Sequence, residues 1–114
     1  MIGCLFCKIA QKQIPSKIVY EDDKCMAFED INPQGPIHIL IIPKEHIPTI
    51  LDISESHKDV LFNMYMIANK IATEKNIANR GFRLVVNCNA EAGQSVFHLH
   101  MHLIGGRHMQ WPPG

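Results

Sequence analysis

The chain has 114 residues, the size of one domain spanning 1–114, and its 46% hydrophobic residues suffice for an ordinary core. Eleven Lys and Arg balance eleven Asp and Glu, which excludes an electrostatic footprint for DNA, RNA or anionic lipid, so a bound anion must be held by local geometry. No apolar run approaches the roughly 18 residues of a membrane span and no secretion signal opens the chain, so the expected location is the cytoplasm, or also the nucleus.

In chain order, Cys4 and Cys7 stand three apart at the start of a short helix expected near Phe6 to Gln11. In a chain without a secretion signal they read as reduced thiols or as thiolates on a metal, rather than as disulfide partners. Ile18 to Tyr20 and Cys25 to Glu29 read as the first two strands, separated by the charged turn Glu21, Asp22, Asp23 and Lys24. Asp30 to Pro36 packs Asp, Asn, two Pro and Gly into a surface turn. Ile37 to Ile42 is rich in β-branched residues and predicts a central strand with His38 near its start.

From Glu55 to Lys75, Val60, Leu61, Met64, Ile67, Ala68 and Ile71 recur at helical spacing and predict one long amphipathic helix. Ser56 with Asp59 three residues on is the expected cap, and Gly81 follows its end. Phe82 to Asn87 and Phe97 to Ile104 complete the strands, joined by a segment containing Gly93. Cys25 and Cys88 read as strand residues, His57 and His108 as solvated, and Met64 and Met66 as ordinary helix positions. The expected class is α+β, with a long helix on one face of a five-stranded, largely antiparallel sheet. The other face or an edge then needs cover, which a second copy of so short a chain would supply.

Strand alternation places His98, His100 and His102 on one side, with Leu99, Met101 and Leu103 on the other. Three readings compete: a solvated polar face, a three-histidine metal site, and nucleophilic catalysis. The outer two Cα atoms of a straight strand lie about 13 Å apart, which strains a single ion between all three rings. Imidazole suits nucleophilic attack on phosphorus, because its reference pKa of about 6.5 leaves much of it neutral near pH 7. Upstream, Ala92, Gly93, Gln94, Ser95 and Val96 form a small-residue loop. By itself this is a common turn; directly before aligned histidines it reads as a phosphate loop, with close backbone approach at Gly93 and a hydroxyl at Ser95.

These residues resemble the histidine triad family, and within it the Hint branch of nucleoside phosphoramidate hydrolases. The resemblance rests on His98, Leu99, His100, Met101, His102, Leu103 and Ile104, preceded by Gly93, Gln94, Ser95 and Val96. It extends to Asp30, Ile31, Asn32 and Pro33, to Pro36 through His46, and to the terminal Trp111, Pro112, Pro113 and Gly114. It implies a five-stranded antiparallel sheet continued across a homodimer, with His100 as the nucleophile that becomes nucleotidylated. His102 and His38 would support it by hydrogen bonding, with Ser95 assisting the leaving amine. Asn87, Gly93, Gln94, Ser95, Val96 and His98 would line the phosphate side, Asp30 would hold the ribose hydroxyls, and Leu5, Phe6, Ile9, Phe28 and Ile31 the purine. Without the resemblance, Asp30 reads equally as a turn cap and the apolar residues as core.

The implied reaction hydrolyses a purine nucleoside 5′-phosphoramidate, such as AMP linked to an amine, with no metal required for the chemistry. The alternatives are dinucleoside polyphosphate cleavage, nucleotidyl transfer, or a nucleotide-sensing scaffold. The sequence departs from the animal Hint pattern in two places. Glu29 stands where animal members often carry His, and Cys4 with Cys7 matches other branches that bind zinc, with His46 and His98 as the remaining expected ligands of a structural site. Trp111 is expected near the active site of a second copy.

Overall fold

The computed structural model describes residues 3–114. Its elements are α1 (Leu5–Ala10), β1 (Ile18–Glu21), β2 (Cys25–Glu29), β3 (Ile37–Pro43), α2 (Lys58–Glu74), β4 (Phe82–Val85) and β5 (Met101–Gly105), with short 3₁₀ turns between them. The strands form one antiparallel sheet in the order β1-β2-β3-β5-β4. Because side chains alternate across a strand, β2 and β3 each serve two cores. Cys25, Ala27, Ile39 and Ile41 face the α2 side with Met101 and Leu103 of β5, while Met26, Phe28, Leu40 and Ile42 pack with Phe6 and Ile9 of α1.

Helix α2 lays Met64, Ile67, Ala68, Ile71 and Ala72 on the first core, the i, i+3, i+4 stripe that the sequence announces. The hairpin turn between β1 and β2 is organised by Asp22. Its Oδ1 accepts from the amides of Lys24 and Cys25 at 2.8 Å each, and its Oδ2 accepts from Tyr20 Oη at 2.9 Å and Asn63 Nδ2 at 3.0 Å. Burial alone would raise this carboxyl, but the four donors outweigh it and hold the pKa down to about 2. Cys25 is enclosed beside it, and burial pushes its thiol up to about 11, so it serves as an inert core residue.

Several boundaries differ from the sequence-based expectation. The fourth strand ends at Val85 and leaves Asn87 and Cys88 beyond the ladder, and the fifth begins only at Met101. A 3₁₀ turn over Glu55–His57 delays α2 to Lys58. Ser54 opens that turn, its amide donating to His57 Nδ1 at 3.0 Å, while the Ser56 hydroxyl pairs with that of Ser54 at 2.8 Å instead of capping with Asp59. His57 is therefore not solvated: only 13% of its side chain is exposed, and its Nε2 lies 3.1 Å from Glu45 Oε2. The sheet face opposite α2 takes much of its cover from α1, which leaves the outer strands β1 and β4 as the open edges. Among the described residues no helix is long and apolar enough to cross a membrane.

Candidate active site

Only His102 of the three alternating histidines lies in the β5 ladder. Ahead of it the chain leaves the sheet, and the Leu99 amide donates to the carbonyl of Ile47 at 2.6 Å. The alternation nevertheless persists, because Leu99 is drawn into the α2 core with Met101 and Leu103 and so turns its neighbours to the α1 side. Burial of the apolar set, more than strand pairing, is what orients the three imidazoles. Phe6 of α1 meets His100 edge to face at 5.0 Å between ring centroids, and Phe28 at 5.5 Å, so one aromatic residue joins the histidines to the apolar core.

The partners of the ring nitrogens fix each tautomer. A carbonyl can only accept, so His100 Nδ1, 2.8 Å from the carbonyl of His98, carries the proton and leaves Nε2 with its lone pair. His98 Nε2 donates to the carbonyl of Pro43 at 2.7 Å, which leaves its Nδ1 as the unprotonated atom. His38 Nδ1 accepts from the Gln34 amide at 3.0 Å, so its Nε2 is the donor and meets His102 Nδ1 at 2.9 Å. His102 therefore presents an Nε2–H. His38 and His102 meet as diagonal neighbours across the β3–β5 ladder, where His38 stands opposite Ile104 and Leu40 opposite His102.

Above the triad lies a cavity of about 360 Å³ lined by Leu5, Phe6, Ile9, Phe28, Asp30, Ile31, Ser95, Val96, His100 and His102, all ten of them residues that the resemblance implicates. Ile14, Pro15, Ser16, Glu29 and Leu40 complete its wall. Of these the sequence singles out only Glu29. Ser16 is of interest because its Oγ is buried and has no hydrogen-bond partner among the described residues, a polar atom at the edge of a mostly apolar slot. Nothing in the sequence around Ser16 marks it as part of the cavity wall. Ile31 stands at the rim and is fully exposed.

The remaining expected residues lie elsewhere. His98 is wholly buried with both ring nitrogens engaged away from the slot. Gln94 is also buried: its Oε1 accepts from the Asn89 amide at 2.8 Å and its Nε2 donates to the Pro48 carbonyl at 2.9 Å, so it shapes the loop instead of facing a ligand. Gly93 takes a φ of +91°, the left-handed turn that lets the loop reverse, and neither it nor Asn87 lines the cavity. His38 stands behind His102, and Asp30 combines two of its readings. Its Oδ1 accepts from the Asn32 amide at 2.7 Å as an Asx turn, while Oδ2 lies 3.4 Å from His38 Nε2 and the residue still lines the cavity.

Behind His98, Cys4, Cys7, His46 and His98 form a Cys₂His₂ cluster whose four ligand atoms all lie within 4.8 Å of one another. Cys4 Sγ is 3.4 Å from His98 Nδ1, and Cys7 Sγ is 3.3 Å from His46 Nδ1 and 3.5 Å from His98 Nδ1. Tetrahedral bonds of usual zinc–sulfur and zinc–nitrogen length imply sulfur–nitrogen edges of about 3.6 Å. The donor set thus has the composition and the spacing of a four-ligand metal site. Its first half follows from local structure: Cys4 caps α1, accepting from the Cys7 amide at 3.3 Å, and the intervening helical turn brings both sulfurs to one side.

The site also predicts a pH dependence of stability. Burial is the main cause that pushes His102 down to about 4, with His100 and His38 nearby adding to it and Asp30 opposing. His38 is lowered in the same way by burial, against the pull of Asp30. Between the folded value and the ordinary 6.5 the unfolded chain binds more protons, so this stability is complete above about pH 6.5 and is lost as pH falls toward 4. Urea unfolding at pH 7 and pH 4 should show a loss of about 2–3 kcal/mol from His102. In His102→Asn that part of the slope should vanish.

The comparisons with known proteins agree with this geometry. The family model for the scavenger mRNA decapping enzyme C-terminal binding domain matches residues 3–111. The purine nucleoside phosphoramidase of Escherichia coli K12 is 52% identical over 103 residues, covering 90% of this chain and 87% of that protein. A HIT family hydrolase from Legionella pneumophila Philadelphia 1 superposes with a TM-score of 0.97 at 51% identity, covering 98% of this chain and all of that one. A HIT family hydrolase from Clostridium thermocellum gives 0.94 at 49% identity, with 96% of each chain covered. With the triad, the slot and the five-stranded sheet in place, the chain belongs to the histidine triad family and is Hint-like.

Proposed function

We propose that the protein hydrolyses purine nucleoside 5′-phosphoramidates, the class named by its Escherichia coli relative, through a nucleotidyl–histidine intermediate. The observation that carries the reading is His100: its Nδ1–H is tied to a carbonyl, which leaves the Nε2 lone pair at the end of an apolar slot. In the first step the phosphorus–nitrogen bond of the substrate breaks as a His100 Nε2–phosphorus bond forms, and the amine leaves with the proton of the Ser95 hydroxyl, which is replaced by one from solvent. The positive charge that His100 acquires is stabilised by its Nδ1–H bond to the His98 carbonyl. Water then attacks phosphorus and loses a proton to solvent, and the His100 Nε2–phosphorus bond breaks, which returns the His100 lone pair and frees the nucleoside monophosphate. His102, held far below the ordinary histidine range, remains neutral at pH 7 and offers its Nε2–H to a phosphate oxygen. Incubation with AMP and GMP amine conjugates should release the amine and the nucleoside monophosphate in equal amounts; release of neither from any conjugate would refute the reading.

The Cys₂His₂ cluster is read as a structural zinc site, held by Cys4, Cys7, His46 and His98. Bound there, zinc would supply a cross-link between the N-terminal segment and the strand-entry loop, and fix His98 by the second-sphere bond to Pro43. His98 is thereby committed to the structural cluster, leaving His100 and His102 for phosphate.

We also read the chain as a cytoplasmic homodimer. Support comes from the open β4 edge and from Phe62, Tyr65 and Met66, which lie 66%, 54% and 49% exposed on the outer face of α2. The C-terminal tail runs near that edge, with Arg83 Nη2 of β4 donating to the Gln110 carbonyl at 3.0 Å, and Trp111 follows at 82% exposure. Such a tail can reach the site of a second copy. Deleting residues 110–114 should shift preference among leaving amines several-fold while nucleoside monophosphate affinity, followed by calorimetry, changes little. An unchanged preference profile would remove the tail from substrate selection.

A further inference from the structure

We propose that Arg107 is a positioning residue, which holds the backbone of Gln34 so that His38 keeps the tautomer on which His102 depends. The inference rests on the hydrolytic reading only for its consequence in turnover; the link from Arg107 to His38 stands on geometry alone. Beyond the ends of β3 and β5, which pair as far as Ile37 opposite Gly105, the two chains continue side by side without a ladder. There Arg107 Nε donates to the Gln34 carbonyl at 2.7 Å, and its Nη1 donates to the carbonyl of His108 at 3.0 Å. The fit is close: a Cβ added at Gly35 would sit 3.3 Å from the Gly105 carbonyl oxygen and 3.5 Å from Arg107 Nε.

The amide of the same Gln34 donates to His38 Nδ1 at 3.0 Å. One residue thus accepts from Arg107 on one side and directs His38 on the other. With Nδ1 occupied as an acceptor, His38 carries its proton on Nε2, where it faces His102 Nδ1 at 2.9 Å and Asp30 Oδ2 at 3.4 Å. If that proton moved to Nδ1, two lone pairs would face each other between His38 and His102, and His102 would have to turn its own proton inward, away from the slot. Asp30 favours the same tautomer, but its contact is long and its Oδ1 is engaged by the Asn32 amide at 2.7 Å. The segment Ile31 to Gln34 is exposed, and among the described residues the further side-chain hydrogen bond within it is from Gln34 Nε2 to the Asn32 carbonyl at 3.0 Å. Arg107 is therefore the tie that joins this exposed turn to the end of β5.

The test uses the full chain as wild type, Arg107→Ala and Arg107→Lys, with ring nitrogens read by long-range proton–nitrogen NMR and turnover measured on an AMP amine conjugate. Arg107 is exposed, so its removal leaves the core intact, and a thermal melt verifies this. In the wild type His38 should show a protonated Nε2 and an unprotonated Nδ1. Arg107→Ala should move both nitrogens toward averaged values and lower kcat about tenfold, the effect of one lost charge-assisted hydrogen bond, with KM changed less than about twofold. Arg107→Lys, which keeps one donor for the Gln34 carbonyl, should recover most of both. Wild-type nitrogen shifts in Arg107→Ala, or shifted nitrogens with unchanged kcat, would overturn the proposal. Absence of turnover in the wild type would instead refute the hydrolytic reading, while the spectra would still decide the link to His38.

Discussion

His100→Asn should lower phosphoramidate turnover by at least about 10⁴-fold, because the asparagine amide has no basic, nucleophilic nitrogen to replace the imidazole Nε2 that bonds to phosphorus. Nucleoside monophosphate affinity should fall much less, since the slot wall is left standing. In the wild type, quenching without acid should trap a mass increase of one nucleotidyl group on the peptide containing His100. His102→Asn should retain a larger fraction of turnover, because His102 donates a hydrogen bond and forms no bond to phosphorus. Label found on His102, or full turnover in His100→Asn, would refute the assignment. His98 is a different case: its ring is wholly buried among the cysteines, so its replacement acts on the cluster and reaches the nucleophile only through the His98 carbonyl.

The histidine alternation was legible because it expresses burial. Leu99, Met101 and Leu103 belong to one core, and that alone sorts the imidazoles to the other side. The place where pairing begins was not legible, since Phe97 to His100 have the same apolar alternation as a paired strand while their backbone lies beyond the ladder. Helix α2 was visible from its stripe, but its start moved to Lys58 because His57 lends its Nδ1 to the Ser54 amide and shapes a 3₁₀ turn. In the site, the residues carried by motif reached the slot wherever their side chains face the sheet side of α1. Gln94, in a loop that resembles a phosphate cradle, turned inward to satisfy the Asn89 amide and the Pro48 carbonyl, partners far from it in sequence. Arg107 was invisible for the same reason: it meets the distant Gln34 carbonyl, and like Ser16 of the cavity wall it sits in no pattern that periodicity can detect.

Removing the metal from the Cys₂His₂ cluster is expected to have the largest effect on stability. Protein purified without a histidine tag should contain about one zinc per chain. Cys4→Ser combined with Cys7→Ser should abolish that content, because serine offers no thiolate and only His46 and His98 would remain. Without the ion, burial and the neighbouring Cys4 thiol push the Cys7 thiol up, so its proton is held more firmly, and the cluster is joined by weak contacts of 3.3–3.5 Å. Metal binding releases the thiol protons and ties α1 to the loop before β5, and losing about 3 kcal/mol of such linkage lowers the Tm of a domain of this size by roughly 10 °C or more. Phe6 and Ile9 should then loosen from Phe28 and Leu40, which hydrogen exchange in α1 would report directly. Turnover should also fall, since the His98 carbonyl that orients His100 belongs to a residue the ion would fix. The decisive comparison is wild-type protein stripped by a chelator and then returned to zinc: recovery of both Tm and exchange protection establishes the site. A wild type that is free of metal, takes up no added zinc and melts at the same temperature throughout would rule it out.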